Sequence, residues 1–458
     1  MTPSLAGPDP STSGPSDEFP LLREFVVRLG SAMTAAGDSV NSIHERLERI
    51  VEAYGDTRFE FFVLPTGMFI ESGEASTARV LLSTDQQRVH YRFDQIAALY
   101  RLVDDAEQAA VTPADGLLEL ARIAVMEPSF NRGVRVLGHG ILTMGLALLL
   151  QPTVSGAAAA FALGLLVGLL KLPRLATLDL IFPVVAAFVV ATTVFAVSHH
   201  SDLGDNPVRI LIPPLATFLP GGVLTIATVE LAAGQMVTGA SRLVTGAVQL
   251  GLLAFGIVAA ASLVGIDQQL LIDDPIDRLG PWAPWIGVLL VAGGDYLHFS
   301  APTRSLWWIT LVLLVAYGGQ ALGAALFGGE LSGFFGALAM TPLVLWVDDR
   351  PYGTPSLVTF LPAFWLLVPG AIGLIGVTEI VGADHSIGSE DLVSALTSIA
   401  SIALGVLIGS ATYHTATAGV RKVAETLPPI SISAPRRFWH LRGARDRPEG
   451  RAGRLPDE

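Results

Sequence analysis

The chain has 458 residues, 51% of them hydrophobic and only 15% charged, with mean hydropathy +0.55, which argues against a wholly soluble protein. The net charge of -13 and pI near 5.1 argue against a nucleic-acid partner, which needs a basic face. The absence of cysteine leaves no disulfide, thiolate metal site or cysteine nucleophile.

Of the 28 Lys and Arg, twelve lie up to Arg135, nine from Arg421 onward and only seven in the long middle. That segregation predicts a membrane domain flanked by polar ends. Residues 1–18, rich in Pro, Ser and Gly, lack the basic and apolar regions of a signal peptide and read as a disordered tail. Residues 19–128 read as a small α/β domain. Ile43, Leu47, Ile50, Val51 and Tyr54 recur at helical spacing and Gly55 closes that helix. Arg58–Leu64, a Pro65-Thr66-Gly67 turn and Met68–Ile70 predict a β-hairpin. A further strand is expected over Val89–Phe93, then a helix through Ile96, Leu99, Tyr100 and Val103. Thr112-Pro113 has the form of an N-cap followed by Pro, opening a helix over Ala114–Val125.

A membrane span needs roughly 17–25 apolar residues. Ten such stretches follow, at about 134–150, 154–170, 178–198, 209–232, 240–264, 283–300, 304–327, 331–347, 355–381 and 392–417. Arg132, Arg135, Lys171, Arg174, Arg242, Arg304, Arg350, Arg421 and Lys422 fall on the side of the N-terminal domain, which the positive-inside bias makes cytoplasmic. The fold expected is a polytopic α-helical membrane protein with a cytoplasmic α/β domain. Its ten transmembrane helices form a 5+5 repeat over residues 129–266 and 267–420, ahead of a disordered basic tail at 421–458. Five spans is an odd number, so the second repeat enters the membrane inverted.

The repeat is visible in the residues. Leu219–Leu231, LPGGVLTIATVEL, aligns without a gap on Val368–Ile380, VPGAIGLIGVTEI, placing Pro220 on Pro369, Gly221 on Gly370 and Glu230 on Glu379. Pro and Gly inside an apolar segment break its helix and free backbone groups that a solute can bond. Pro220, Gly221, Pro369 and Gly370 are therefore candidate substrate-binding positions, with Thr225, Thr228 and Thr378 as hydroxyl donors. The alternative is an ordinary Pro kink, with threonines bonded to their own backbone. Glu230, Glu379, Asp295 and Asp179 are candidate proton-coupling or gating carboxylates, the alternative being acids at helix ends or, for Asp179, a partner of Arg174. His139 reads more readily as a satisfied structural histidine than as a proton relay. No zinc-protease, Walker A or Gly-x-Ser-x-Gly pattern occurs, so no catalytic residue, metal or cofactor is expected and the chain does not read as an enzyme.

GDSVNSIHERLERIVEAYG, then FEFFVLPTGMFI, then ten spans with LPGGVLTIATVELAAGQMVTGASRL resemble the bacterial threonine/serine exporter family over about residues 20–420. The resemblance implies export of small hydroxy-amino acids, threonine or serine, driven by the proton gradient or membrane potential, with both termini cytoplasmic in the inner membrane. The partners implied are the solute, protons in antiport and the lipid bilayer, with homo-oligomerisation left open. Related two-component members are associated with succinate, so a dicarboxylate exporter is the close alternative. The scarcity of Lys and Arg inside the spans tilts the reading toward an amino acid. A membrane sensor without flux and a membrane-tethered hydrolase are the readings from other classes.

Overall fold

The computed structural model describes residues 18–55, 59–65, 67–72, 79–83, 91–150, 153–172, 181–200, 207–266, 279–350, 353–367, 369–382 and 385–426. The N-terminal region contains α1 (Glu18–Ala36), α2 (Val40–Ala53), β1 (Phe59–Leu64), β2 (Gly67–Ser72), β3 (Arg79–Ser83), α3 (Phe93–Glu107) and α4 (Pro113–Ala124). In α2, Ile43, Leu47, Ile50 and Val51 are buried, and the Ser39 hydroxyl caps the helix by accepting from the Ser42 amide. Gly55 takes the left-handed conformation (φ +77°) that ends it. The hairpin is antiparallel with Leu64 opposite Gly67, and β3 adds to the free edge of β2.

Two local expectations change. Phe93 opens α3 instead of ending a strand, because the Gln95 side chain accepts the Arg92 amide and starts a helical turn there. The third strand lies earlier, at Arg79–Ser83, and residues 84–90 lie outside the described residues. Helix α1, which the sequence reading did not delimit, buries Phe25, Val26, Leu29 and Met33 in the core it shares with α2 and α3.

The apolar region contains α5 (Arg132–Leu149), α6 (Val154–Leu170), α7 (Phe182–His200), α8 (Pro207–Leu215), a 3₁₀ turn (Ala216–Phe218), α9 (Gly221–Ala232) and α10 (Met236–Val264). It continues with α11 (Ala283–His298), α12 (Ser305–Phe327), α13 (Ser332–Asp348), α14 (Ser356–Leu366), α15 (Pro369–Gly382) and α16 (His385–Thr426). Among the described residues, Met236–Val264, Ser305–Phe327 and Ser389–Ala418 are each long and apolar enough to cross a membrane. The pair Arg209–Phe218 and Gly221–Ala232, bent by 60°, makes a fourth candidate. Val244, Val248 and Phe255 on α10 and Leu322 and Leu326 on α12 are exposed. Apolar faces of that kind suit lipid, not water.

Helices α5 and α11 pack antiparallel at very short range. A Cβ on Gly138 would lie 2.7 Å from the His298 backbone nitrogen, and one on Gly145 would lie 2.7 Å from the Gly287 carbonyl and the Val291 nitrogen. Only glycine allows backbones to approach so closely. One core runs from the N-terminal region into α11, α12 and α14, and a second gathers α7, α8 and α10. Residues up to Tyr413 form one compact unit, and the rest of α16 belongs to a second.

Candidate functional site

The break between α8 and α9 is built by prolines. Pro213 and Pro214 lie inside α8, the chain tightens into the 3₁₀ turn, and Leu219 becomes extended (ψ 131°) before Pro220 caps α9 from outside. Proline lacks the amide that would continue the ladder. Among the described residues no side chain caps α9, so the amides of its first turn keep their partial positive charge. In the second half α14 ends at Leu366 and α15 starts at Pro369. Val368 and the side chains of Pro369 and Gly370 lie outside the described residues.

Against the break stands Lys171, the C-cap of α6. Its Nζ donates to Thr217 Oγ1 at 2.6 Å and to His139 Nε2 at 3.2 Å, and lies 4.6 Å from the centre of the Phe218 ring. His139 is fully buried and its Nδ1 lies 2.8 Å from the Gly164 carbonyl. Nδ1 therefore carries the proton and Nε2 presents a lone pair, an assignment made from the partners. His298 is held in the same way, Nδ1 to the Arg135 carbonyl at 2.9 Å, and the two imidazole rings meet edge to face at 4.6 Å. The structural histidine expected at 139 thus proves to be part of a cluster. Lys171 served the sequence reading only as an orientation marker. α5, α6 and the 3₁₀ turn meet only in the fold, so no spacing reveals their contact.

Asp295, on α11 one turn before His298, is 0% exposed, and neither of its carboxylate oxygens has a hydrogen-bond partner among the described residues. Thr225 and Thr228 return their hydroxyls to their own helix, to the Gly221 and Leu224 carbonyls at 2.9 Å each. The Thr378 hydroxyl is buried without a hydrogen bond among the described residues, and Glu379 beside it is fully buried. Asp179 lies outside the described residues.

Glu230 sits at the far end of α9 from the break. Its Oε1 accepts the Val40 amide at the start of α2 at 3.1 Å. Its Oε2 lies 3.2 Å from Arg242 Nε, a charge contact without hydrogen-bond alignment, since both atoms lack a hydrogen-bond partner. Arg242 in turn donates from Nη2 to the Asp38 carbonyl at 2.7 Å. Glu230 and Arg242 thus grip the α1–α2 connection, and the carboxylate faces the positive end of α2. The Asp38 carboxyl accepts from Ser39 N–H, Ser42 Oγ and Tyr100 Oη, while burial pushes it above the usual carboxylate range. Two more contacts tie the N-terminal region to the apolar helices. The Phe93 amide donates to the Phe299 carbonyl at 3.1 Å, with the two rings stacked at 4.8 Å. Arg46, bonded to Asp104 and Glu107 of α3, lies 3.7 Å from Asp348 of α13.

Among the described residues no group of three or more His, Asp or Glu is placed to hold a metal ion. No curated protein and no solved structure matches the chain. The family described as "Putative threonine/serine exporter" (ThrE) matches residues 24–264, from α1 through α10. That match covers more than half of the sequence, and the chain belongs to this family of membrane transporters.

Proposed function

We propose that the chain exports threonine or serine across the cell membrane by alternating access in exchange for protons, with the solute at the break between α8 and α9. The 60° bend there carries the reading. An interrupted span in a transporter exposes helix-end dipoles and backbone groups where a small zwitterion can bond them. Asp295 is the proton carrier in this account, because a buried carboxylate without a partner is stable only if it can take up a proton. Glu230, held by Val40 and Arg242, is a docking residue.

Ten spans in a 5+5 inverted repeat fit the element order. Each helix from α5 to α10 has a counterpart about 150 residues later, and the α8–α9 interruption recurs between α14 and α15. The antiparallel packing of α5 on its counterpart α11 supports inversion, since parallel repeats would run those two helices the same way. The N-terminal domain meets α9, α11 and α13 at their C-terminal ends, a single face of the apolar region in this topology. The excess of Lys and Arg makes that face cytoplasmic. A second reading, export of a dicarboxylate, is favoured by one observation, the Lys171 ammonium at the break. It also weakens the argument from the scarcity of Lys and Arg inside the spans.

Proteoliposomes loaded separately with labelled threonine, serine and succinate decide between the two. Efflux of threonine or serine under an inward proton gradient is expected. Efflux of succinate alone would move the solute to dicarboxylates, and efflux of none would remove the export reading.

A further inference from the structure

We propose that Lys171, Thr217 and His139 form a carboxylate-binding site at the break between α8 and α9, and that the exported solute is held there by its carboxylate. The inference rests on the export reading and adds the group that recognises the solute. A lysine ammonium has three donors. Two are committed, to Thr217 Oγ1 and to His139 Nε2, and the third has no hydrogen-bond partner among the described residues. Both partners are neutral, because His139 spends its own proton on the Gly164 carbonyl. No acidic side chain among the described residues pairs with the ammonium.

A partly buried cation with only neutral partners is incomplete without an anion. The Phe218 ring, 4.6 Å from Nζ, lies against the cation on one side. Thr217 and Phe218 belong to the turn that leads directly into the uncapped start of α9, whose amides add positive potential from a second source. Thr217 Oγ1 accepts from Lys171 and its hydroxyl donates to His139 Nε2 at 3.3 Å, a long bond that a ligand oxygen would displace. Beyond His139 the ring of His298 follows at 4.6 Å. Asp295 lies one helical turn, about 5 Å, further along α11.

The test is calorimetric binding to the purified full-length protein in nanodiscs. The ligands are threonine, threonine amide and succinate, and the proteins are the wild type, Lys171→Gln and Thr217→Val. Wild type should bind threonine at least about tenfold more tightly than the amide, and Lys171→Gln should lose at least about tenfold in threonine affinity. Thr217→Val, nearly the same shape, should lose a smaller factor and decides the matter if Lys171→Gln does not fold. Wild-type affinity in the variants, equal binding of the amide, or no binding of either carboxylate would overturn the site. Succinate binding that Lys171→Gln abolishes would support the site and change the solute. Threonine binding that Lys171→Gln abolishes, without threonine efflux from wild-type liposomes, would support the site and remove the export reading alone.

Discussion

Glu230 shows how one residue can be legible in sequence while its contacts are not. Its repeat partner Glu379 marks it as special, but the repeat does not say that Val40 and Arg242 will meet it. Both contacts come from segments remote in sequence, and the ion pair is almost fully buried. Removing one member of such a pair strands the other, at a cost on the order of 3 kcal/mol. Arg242→Met should therefore loosen the N-terminal domain and speed its release by limited proteolysis, whereas Glu230→Gln, which keeps an acceptor for the Val40 amide, should do so less. Equal proteolysis of Arg242→Met and wild type would count against the docking role. Asp38 offers a pH test in the same place. Burial raises its carboxyl in the folded state. Its contribution to stability is therefore complete below the unfolded value, about 3.9, and is lost as pH rises through the raised folded value. The melting temperature of the full-length protein should fall with rising pH above 4, and Asp38→Asn should flatten that slope. A slope unchanged by the substitution would place the effect elsewhere.

Helices and strands were legible where a periodic apolar face or a cap fixes them. The buried face of α2 and the Thr112 cap of α4, which accepts from the Asp115 amide, follow the sequence pattern closely. The start of α3 was not legible, because the Gln95-to-Arg92 contact outweighs the strand propensity of Val89–Phe93. The interruption after Phe218 was readable from Pro220-Gly221, but its surroundings were not, since α6 supplies Lys171 from a distant part of the chain. The α5–α11 contact is another long-range feature that spacing cannot reveal. A Cβ on Gly294 would collide with the backbone of Leu142, which cannot rotate away. Gly294→Ala should push α11 off α5 and cost about 1–3 kcal/mol. Gly293→Ala next to it, with open space at its Cβ position, should be nearly neutral. Matching melting temperatures for the two variants would contradict this packing.

At the scale of the whole molecule the N-terminal region, α1 to α4, is fastened to both the earlier and the later apolar helices. It is held at Glu230 and Arg242 in the first and at Phe299 and Asp348 in the second. In the proposed alternating-access cycle, movement of one half against the other would stretch or break one of these attachments, giving the N-terminal region a hold on transport. The layers from that domain inward are Phe93, Phe299, His298 and His139, with Lys171 bonded to His139 and Asp295 on the helix that carries His298. The account's central claim is that solute leaves as protons enter through Asp295. The measurement that tests it most directly is proton entry into proteoliposomes carrying an internal pH dye, driven by an outward threonine gradient, for the wild type and Asp295→Asn. The account predicts threonine-dependent acidification with the wild type and its loss, by at least about tenfold, with Asp295→Asn. Wild-type acidification in the variant would contradict it.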